Sequence, residues 1–235
     1  MDMVYVCSQT YIKFLIMIQA VIFDMDGVLI DSEPLHFSAI EEVLLMHGIT
    51  IQKGYLDKFV GDTNERAWEV MREEFRLQDA IGFYIKQQIQ RTIDCLWRDD
   101  YGPIEGVPEL LQQLKSAGYP LAIASSSPPE IIQNIIDRIG IGSYIDKWVS
   151  GNEVQESKPA PDIYLRAAEM LGYKPANCLA VEDSYYGVTA AKAAGMKCIG
   201  YKAMGAIEQD LSAADVIVTN MNDISIELIK GMNII

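Results

Sequence analysis

Asp24 and Asp26 stand two residues apart at the end of an uncharged run, Gln19-Ala20-Val21-Ile22-Phe23, and Gly27 follows them. β-Branched and aromatic residues without charge read as a strand buried on both faces. Strand side chains alternate with period two, so if that geometry continues past Phe23 the two carboxylates project from one side. Two like charges in one patch need a cation between them, a proton on one of them, or both. Asp-x-Asp-Gly alone also fits a solvated turn after a strand. A calcium loop does not fit, because its sixth position would be Leu29 and its twelfth Leu35, where glycine and glutamate are required.

Three further clusters follow apolar runs. Pro120-Leu121-Ala122-Ile123-Ala124 ends in Ser125-Ser126-Ser127-Pro128-Pro129. Serine before proline opens a helix, either as a plain N-cap or with its free amides facing an anion. Lys158 sits in Ser157-Lys158-Pro159-Ala160-Pro161, where each proline biases the preceding residue toward an extended conformation. Leu179-Ala180-Val181 ends in Glu182-Asp183, adjacent acids that a solvated face explains poorly. Asp183 with Asp24 offers the hard oxygen ligands that Mg²⁺ prefers.

Positioning these residues requires a sheet whose strands end at one edge. From Asp31 to about Asp100 the periodicity is helical. Ile40, Val43, Leu44 and His47 share one spacing, as do Trp68, Met71 and Phe75, and Ile85, Ile89, Ile93 and Trp97. Tyr101 to Gly106 reads as a return linker. Beyond it, apolar strands at 120–124, 147–150, 178–181, 196–201 and 215–219 alternate with helices, the sign of a parallel, doubly wound sheet. Ligands in such sheets collect at the carboxyl ends of the strands. The fold class expected is therefore α/β with a helical insert after the first strand. Gly61-Asp62-Thr63 is a turn within that insert, placed either to overlook the site or simply to cap the next helix.

The longer stretch Phe23-Asp24-Met25-Asp26-Gly27-Val28-Leu29-Ile30-Asp31-Ser32-Glu33-Pro34-Leu35-His36 resembles the opening motif of the haloacid dehalogenase superfamily, and more closely its β-phosphoglucomutase-like phosphatases. All four clusters occur in that family's order, and the resemblance runs from Met17 to the C-terminus. It implies a Rossmann-like core over residues 17–31 and 103–235, a helical cap over 32–102, and an N-terminal extension over 1–16. It implies that Asp24 is a covalent nucleophile and Asp26 the general acid and base, with Lys158 holding phosphate and nucleophile together. Ser125, Ser126 and Gly27 would bind the phosphoryl group, and His36 and Asn64 the substrate. Mg²⁺ would be held by Asp24, the backbone carbonyl of Asp26, Asp183 and Glu182, the last a direct ligand in some relatives only.

The function so implied is a Mg²⁺-dependent phosphomonoester hydrolase that acts on a small phosphorylated metabolite, a sugar phosphate, through an aspartyl-phosphate. Asp26 argues against the dehalogenase branch, which lacks an acid there. A β-phosphoglucomutase is the alternative: His36 matches a histidine of the mutases, but where they carry a cap arginine this chain has Asn64, with Arg66 nearby. A receiver-type signalling domain would place adjacent acids after its first strand, and a non-catalytic phosphate-binding protein would not need Asp24, Asp26, Lys158 and Asp183 together.

Composition narrows the partners. Half of the 235 residues are hydrophobic, enough for a sizeable core. Thirty-three acidic against 19 basic residues give a formal charge of −14, which disfavours nucleic acid and anionic membrane surfaces. It does not disfavour a small phosphorylated substrate, since a metal and one lysine reverse the field locally. Cys7, Cys95, Cys178 and Cys198 show no Cys-x-x-Cys spacing and read as core residues of a reducing cytoplasm. Tyr11 to Ile18 is apolar but lacks a basic flank and a cleavage site, and is too short to span a membrane. A cytoplasmic monomer is expected.

Overall fold

Six apolar runs form six parallel strands: β1 (Ala20–Phe23), β2 (Leu121–Ser125), β3 (Lys147–Ser150), β4 (Cys178–Glu182), β5 (Lys197–Tyr201) and β6 (Val216–Val218). They make one sheet in the order β3-β2-β1-β4-β5-β6. The computed structural model describes residues 17–60, 63–204 and 208–233. The expected extension at 1–16, with Cys7, and the turn residues Gly61 and Asp62 lie outside the described residues. The described residues form eight helices: α1 (Glu33–Met46), α2 (Asn64–Glu74), α3 (Ile81–Arg98), α4 (Val107–Ser116), α5 (Pro129–Arg138), α6 (Asp162–Leu171), α7 (Tyr185–Ala193) and α8 (Ile226–Gly231).

The alternation in β1 divides the core. Val21 and Phe23 pack with Leu110, Leu111, Leu114, Ile131, Ile132 and Ile135 of α4 and α5. Ala20 and Ile22 face Ile163, Tyr164, Ala167, Val188 and Ala191 of α6 and α7. All four β1 residues are fully buried, each large one contributing about 1.5–3 kcal/mol of apolar transfer free energy. In register, Phe23 pairs with Ile123 of β2 and Val181 of β4. Winding reverses on either side of β1, so Asp24, Ser125 and the Glu182-Asp183 pair reach one edge, where such sheets leave a crevice.

Helices α1 to α3 bury a core of their own, with Ile40, Val43, Leu44, Leu56, Phe59, Trp68, Met71 and Tyr84. Trp68 stacks on Tyr84 at 5.3 Å between ring centroids. The apolar stripe predicted on α3, Ile85-Ile89-Ile93-Trp97, is not its buried seam. That seam is Tyr84, Gln88, Thr92, Cys95 and Leu96. Ile85 and Ile89 line a cavity instead, and Trp97 is exposed, its indole donating to Asn134 Oδ1 of α5 at 2.8 Å.

The ends of this helical unit are tied to the sheet. Leu35, Cys95 and Leu96 join the α4/α5 side of the core. Arg138 of α5 donates to the Leu96 and Asp99 carbonyls at 3.1 and 3.0 Å, and the outgoing and returning linkers meet where Ile104 N donates to Leu29 O at 3.0 Å. Thr63 caps α2 by accepting from Arg66 N at 3.2 Å and also lines that cavity, so both readings of the turn hold for this residue. Serine does not cap α5. Its N-cap is Pro128, whose side chain has no acceptor for the first-turn amides, and its first helical residue is Pro129. No helix of the described residues is long and apolar enough to cross a membrane.

Candidate active site

β1 delivers Asp24 with its last ladder bond, from Asp24 N to Val181 O at 2.9 Å. Strand geometry then stops, and the period-two expectation does not carry through to Asp26. Leu29 N donates to Met25 O and Gly27 N to Ile30 O, at 2.9 and 2.8 Å, closing a tight turn. Both carboxylates nevertheless line the same cavity, of about 1200 Å³, between the sheet edge and the α1–α3 unit. Gly27 has φ +78°, and a Cβ there would lie 2.0 Å from Asp183 Oδ2. Because its amide is given to Ile30, what it supplies is room for Asp183, not a donor for phosphate.

The loop before α6 brings Lys158 between two strands. Its Nζ donates to Asp24 Oδ1 at 2.6 Å, to Glu182 Oε1 at 2.6 Å and to Ala124 O at 3.0 Å, using all three of its donors. Glu182 is fully buried and also accepts from Tyr164 OH at 2.6 Å and Ser184 Oγ at 3.2 Å. Ser184 in turn accepts from Gly187 N at 3.0 Å and so caps α7. Gly187 is needed for space, since a Cβ there would overlap the Glu182 carboxylate at about 2 Å.

Asp26 has a different shell. It accepts from Ser32 Oγ at 2.6 Å, Ser127 Oγ at 3.0 Å and Ser125 Oγ at 3.1 Å, and His36 Nε2 lies 3.4 Å away. Ser125 is fully buried and does not line the cavity, whereas Ser126 and Ser127 do. Asn64, the first residue of α2, and His36 of α1 line the opposite wall. Ser32, Ser127, Tyr164 and Gln88 escaped the sequence reading as site residues. The serine block and the Asp31-Ser32 turn gave a signal for the first two; nothing in the sequence singled out Tyr164 or Gln88.

Charge separates the two aspartates. Burial raises the pKa of Asp24 well above the usual carboxylate range, Lys158 opposes, and Glu182, Asp183 and Asp26 raise it further. Burial and Glu182 push Asp183 up to about 7. Burial would raise Asp26 too, but His36 and the hydroxyls of Ser32 and Ser127 outweigh it and hold that group at about 2. Lys158 is raised: burial alone would lower it, and Asp24 and Glu182 more than compensate. Carboxylate oxygens of Asp24, Glu182 and Asp183 lie within 4.8 Å of one another. One ammonium against these buried acids leaves an excess of negative charge, and an all-oxygen donor set of this kind fits a hard divalent cation. Glu182, already accepting three hydrogen bonds, is the least available of the three.

The family described as haloacid dehalogenase-like hydrolase matches residues 21–201. The chain is 33% identical over 184 residues to the phosphorylated carbohydrates phosphatase of Thermotoga maritima, covering 77% of this chain and 83% of that protein. It is 33% identical over 230 residues to the β-phosphoglucomutase of Bacillus subtilis, covering 90% and 93%. Among solved structures, CbbY from Rhodobacter sphaeroides in complex with phosphate superimposes with a TM-score of 0.77 at 25% identity, over 87% of this chain and 95% of that one.

Proposed function

The chain belongs to the haloacid dehalogenase-like hydrolases, and on that premise we propose that it is a Mg²⁺-dependent phosphatase of small sugar monophosphates working through an aspartyl-phosphate on Asp24. The observation that carries this reading is the contrast between the two aspartates: Asp24 lies against Lys158 beside Asp183 and Glu182, while Asp26 lies among hydroxyls. Asp24, Asp183 and the Asp26 carbonyl would hold the cation, with Glu182 behind them fixing Lys158. The bound ion would supply charge neutralisation at the phosphoryl oxygens.

In the mechanism proposed, Lys158 orients the Asp24 carboxylate and draws the phosphate toward it. Attack of Asp24 on phosphorus forms the acyl phosphate and releases the alcohol, which takes a proton from Asp26. Water then attacks the same phosphorus, giving its proton back to Asp26, and the bond from phosphorus to the Asp24 oxygen breaks, which frees the carboxylate and releases inorganic phosphate. For that role Asp26 must exchange its present donors for a proton, and the hydroxyl of Ser127, which lines the cavity, becomes available to the phosphoryl oxygens as it does so. The α1–α3 unit acts as a cap over the core, hinged at the paired linkers near Ser32–Pro34 and Asp99–Pro103.

A phosphosugar mutase is the second reading, favoured by the Bacillus relative's 93% coverage and by His36 beside Asp26. Against it, eight carboxylates and two lysines line the cavity among the described residues. Arg66 is absent from that lining and sits 3.6 Å from Glu69 on the surface. Among the described residues, a second phosphate therefore meets no lysine or arginine of the cap there. Phosphate release from sugar monophosphates should outrun interconversion of β-glucose 1-phosphate and glucose 6-phosphate, even with glucose 1,6-bisphosphate added. Faster isomerisation would reverse the assignment.

A further inference from the structure

We propose that Asn64 selects the substrate by donating a hydrogen bond from its amide to a neutral acceptor oxygen remote from the phosphate, its orientation locked by a buried relay through Gln88 and Trp68. The inference rests on the sugar-monophosphatase reading and adds what kind of substrate atom Asn64 reads and what holds its amide in place. Trp68 Nε1 donates to Gln88 Oε1 at 2.7 Å, and Gln88 Nε2 donates to Asn64 Oδ1 at 3.1 Å. An indole N–H only donates, so Gln88 must turn its oxygen to Trp68 and its NH₂ to Asn64; the reverse sets donor against donor. Asn64 Oδ1 is thereby used, and the amide Nδ2 has no partner among the described residues.

The relay is costly unless it has a purpose. Gln88 is 2% exposed on α3 and bonded to the buried Trp68 of α2, where a hydrocarbon side chain would pack without a polar group to satisfy. Asn64 and Gln88 both line the cavity, and the cap residues lining it with them include apolar Phe37, Ile40, Phe59 and Ile85 and the neighbours of Asn64, Thr63 and Glu65. An oriented donor next to the Glu65 carboxylate, with no lysine or arginine among the described cap residues of the lining, suits a hydroxyl or carbonyl oxygen and not a second anion.

The test compares hexose monophosphates with phenyl phosphate, which has no oxygen beyond its ester to meet Asn64. Asn64→Leu should lower the ratio of kcat/KM for the best hexose monophosphate over that for phenyl phosphate by about tenfold, the size of one lost hydrogen bond. Gln88→Met, which leaves Asn64 in place but unlocked, should lower the same ratio less, through KM more than kcat. Thermal unfolding and circular dichroism check that each variant is folded. An unchanged ratio in folded Asn64→Leu, whether both substrates hold or both fall in parallel, overturns the inference while the phosphatase reading stands. Failure of the wild-type protein to hydrolyse either substrate with Mg²⁺ overturns that reading and the inference with it.

Discussion

Replacing Lys158 with methionine tests whether its ammonium is what allows the buried acids to coexist. Lys158 donates to both Asp24 and Glu182 at 2.6 Å, with side chains 7, 9 and 0% exposed respectively. Methionine fills similar space and removes the charge. Carboxylate oxygens of these acids lie within 4.8 Å of each other, so at an effective dielectric of ~20 their uncompensated repulsion is about 3 kcal/mol. Removing one partner of a buried pair costs about 3–5 kcal/mol by comparison with other proteins, and the two figures agree. Urea unfolding at pH 8 without added metal should show a loss in that range. The pH dependence follows from the raised pKa of Asp24, which the substitution raises further by removing the opposing lysine. A group raised in the folded state stabilises fully below its unfolded pKa, and that stabilisation is lost as pH rises through the folded value. The deficit of Lys158→Met should therefore shrink between pH 8 and pH 5. A loss under ~1 kcal/mol at both pH values, or a larger loss at pH 5, would refute the reasoning.

Gly27→Ala places a Cβ 2.0 Å from Asp183 Oδ2 at a positive φ; it should cost about 1–2 kcal/mol in urea unfolding and weaken Mg²⁺ binding by calorimetry, and unchanged metal affinity would show that Asp183 need not hold its place. Asp215 accepts from Lys192, Lys197 and Cys198 N; burial alone would raise its pKa, but these partners outweigh it and lower it. Asp215→Asn should cost about 1 kcal/mol at pH 7, and, since a depressed carboxylate stabilises only above its unfolded pKa, the difference should vanish as pH falls below that of the native Asp215. A deficit that persists in acid would mean that packing, not charge, is at stake.

The strands and their chemistry were legible because β1, β2 and β4 are apolar on both faces and each ends abruptly in polar residues, a contrast that a linear reading detects. Lys158 was legible from its prolines. The three-helix unit was legible as helical, but not in its seam: Ile85 and Ile89 belong to the apolar stripe and line the cavity, while Gln88 and Thr92, polar residues off that stripe, are buried. Periodicity finds an apolar stripe without saying whether it faces a core or a cavity. Ser127 read as a helix cap because serine precedes proline, yet the N-cap position falls on Pro128, and the Ser127 hydroxyl turns to Asp26 from 101 positions away. Tyr164 was invisible for the same reason: its partner Glu182 is joined to it by the fold, not by spacing.

The central claim is that phosphate passes through Asp24, and it can be read directly. Rapid acid quench during turnover of a sugar monophosphate with Mg²⁺, followed by borohydride reduction, converts an aspartyl-phosphate to homoserine. Tandem mass spectrometry of the peptide carrying Asp24 and Asp26 then assigns the position. Homoserine at Asp24, dependent on substrate and absent from Asp24→Asn, is the predicted result. Homoserine at Asp26, or a protein that turns over substrate with neither position modified at any quench time, would contradict it.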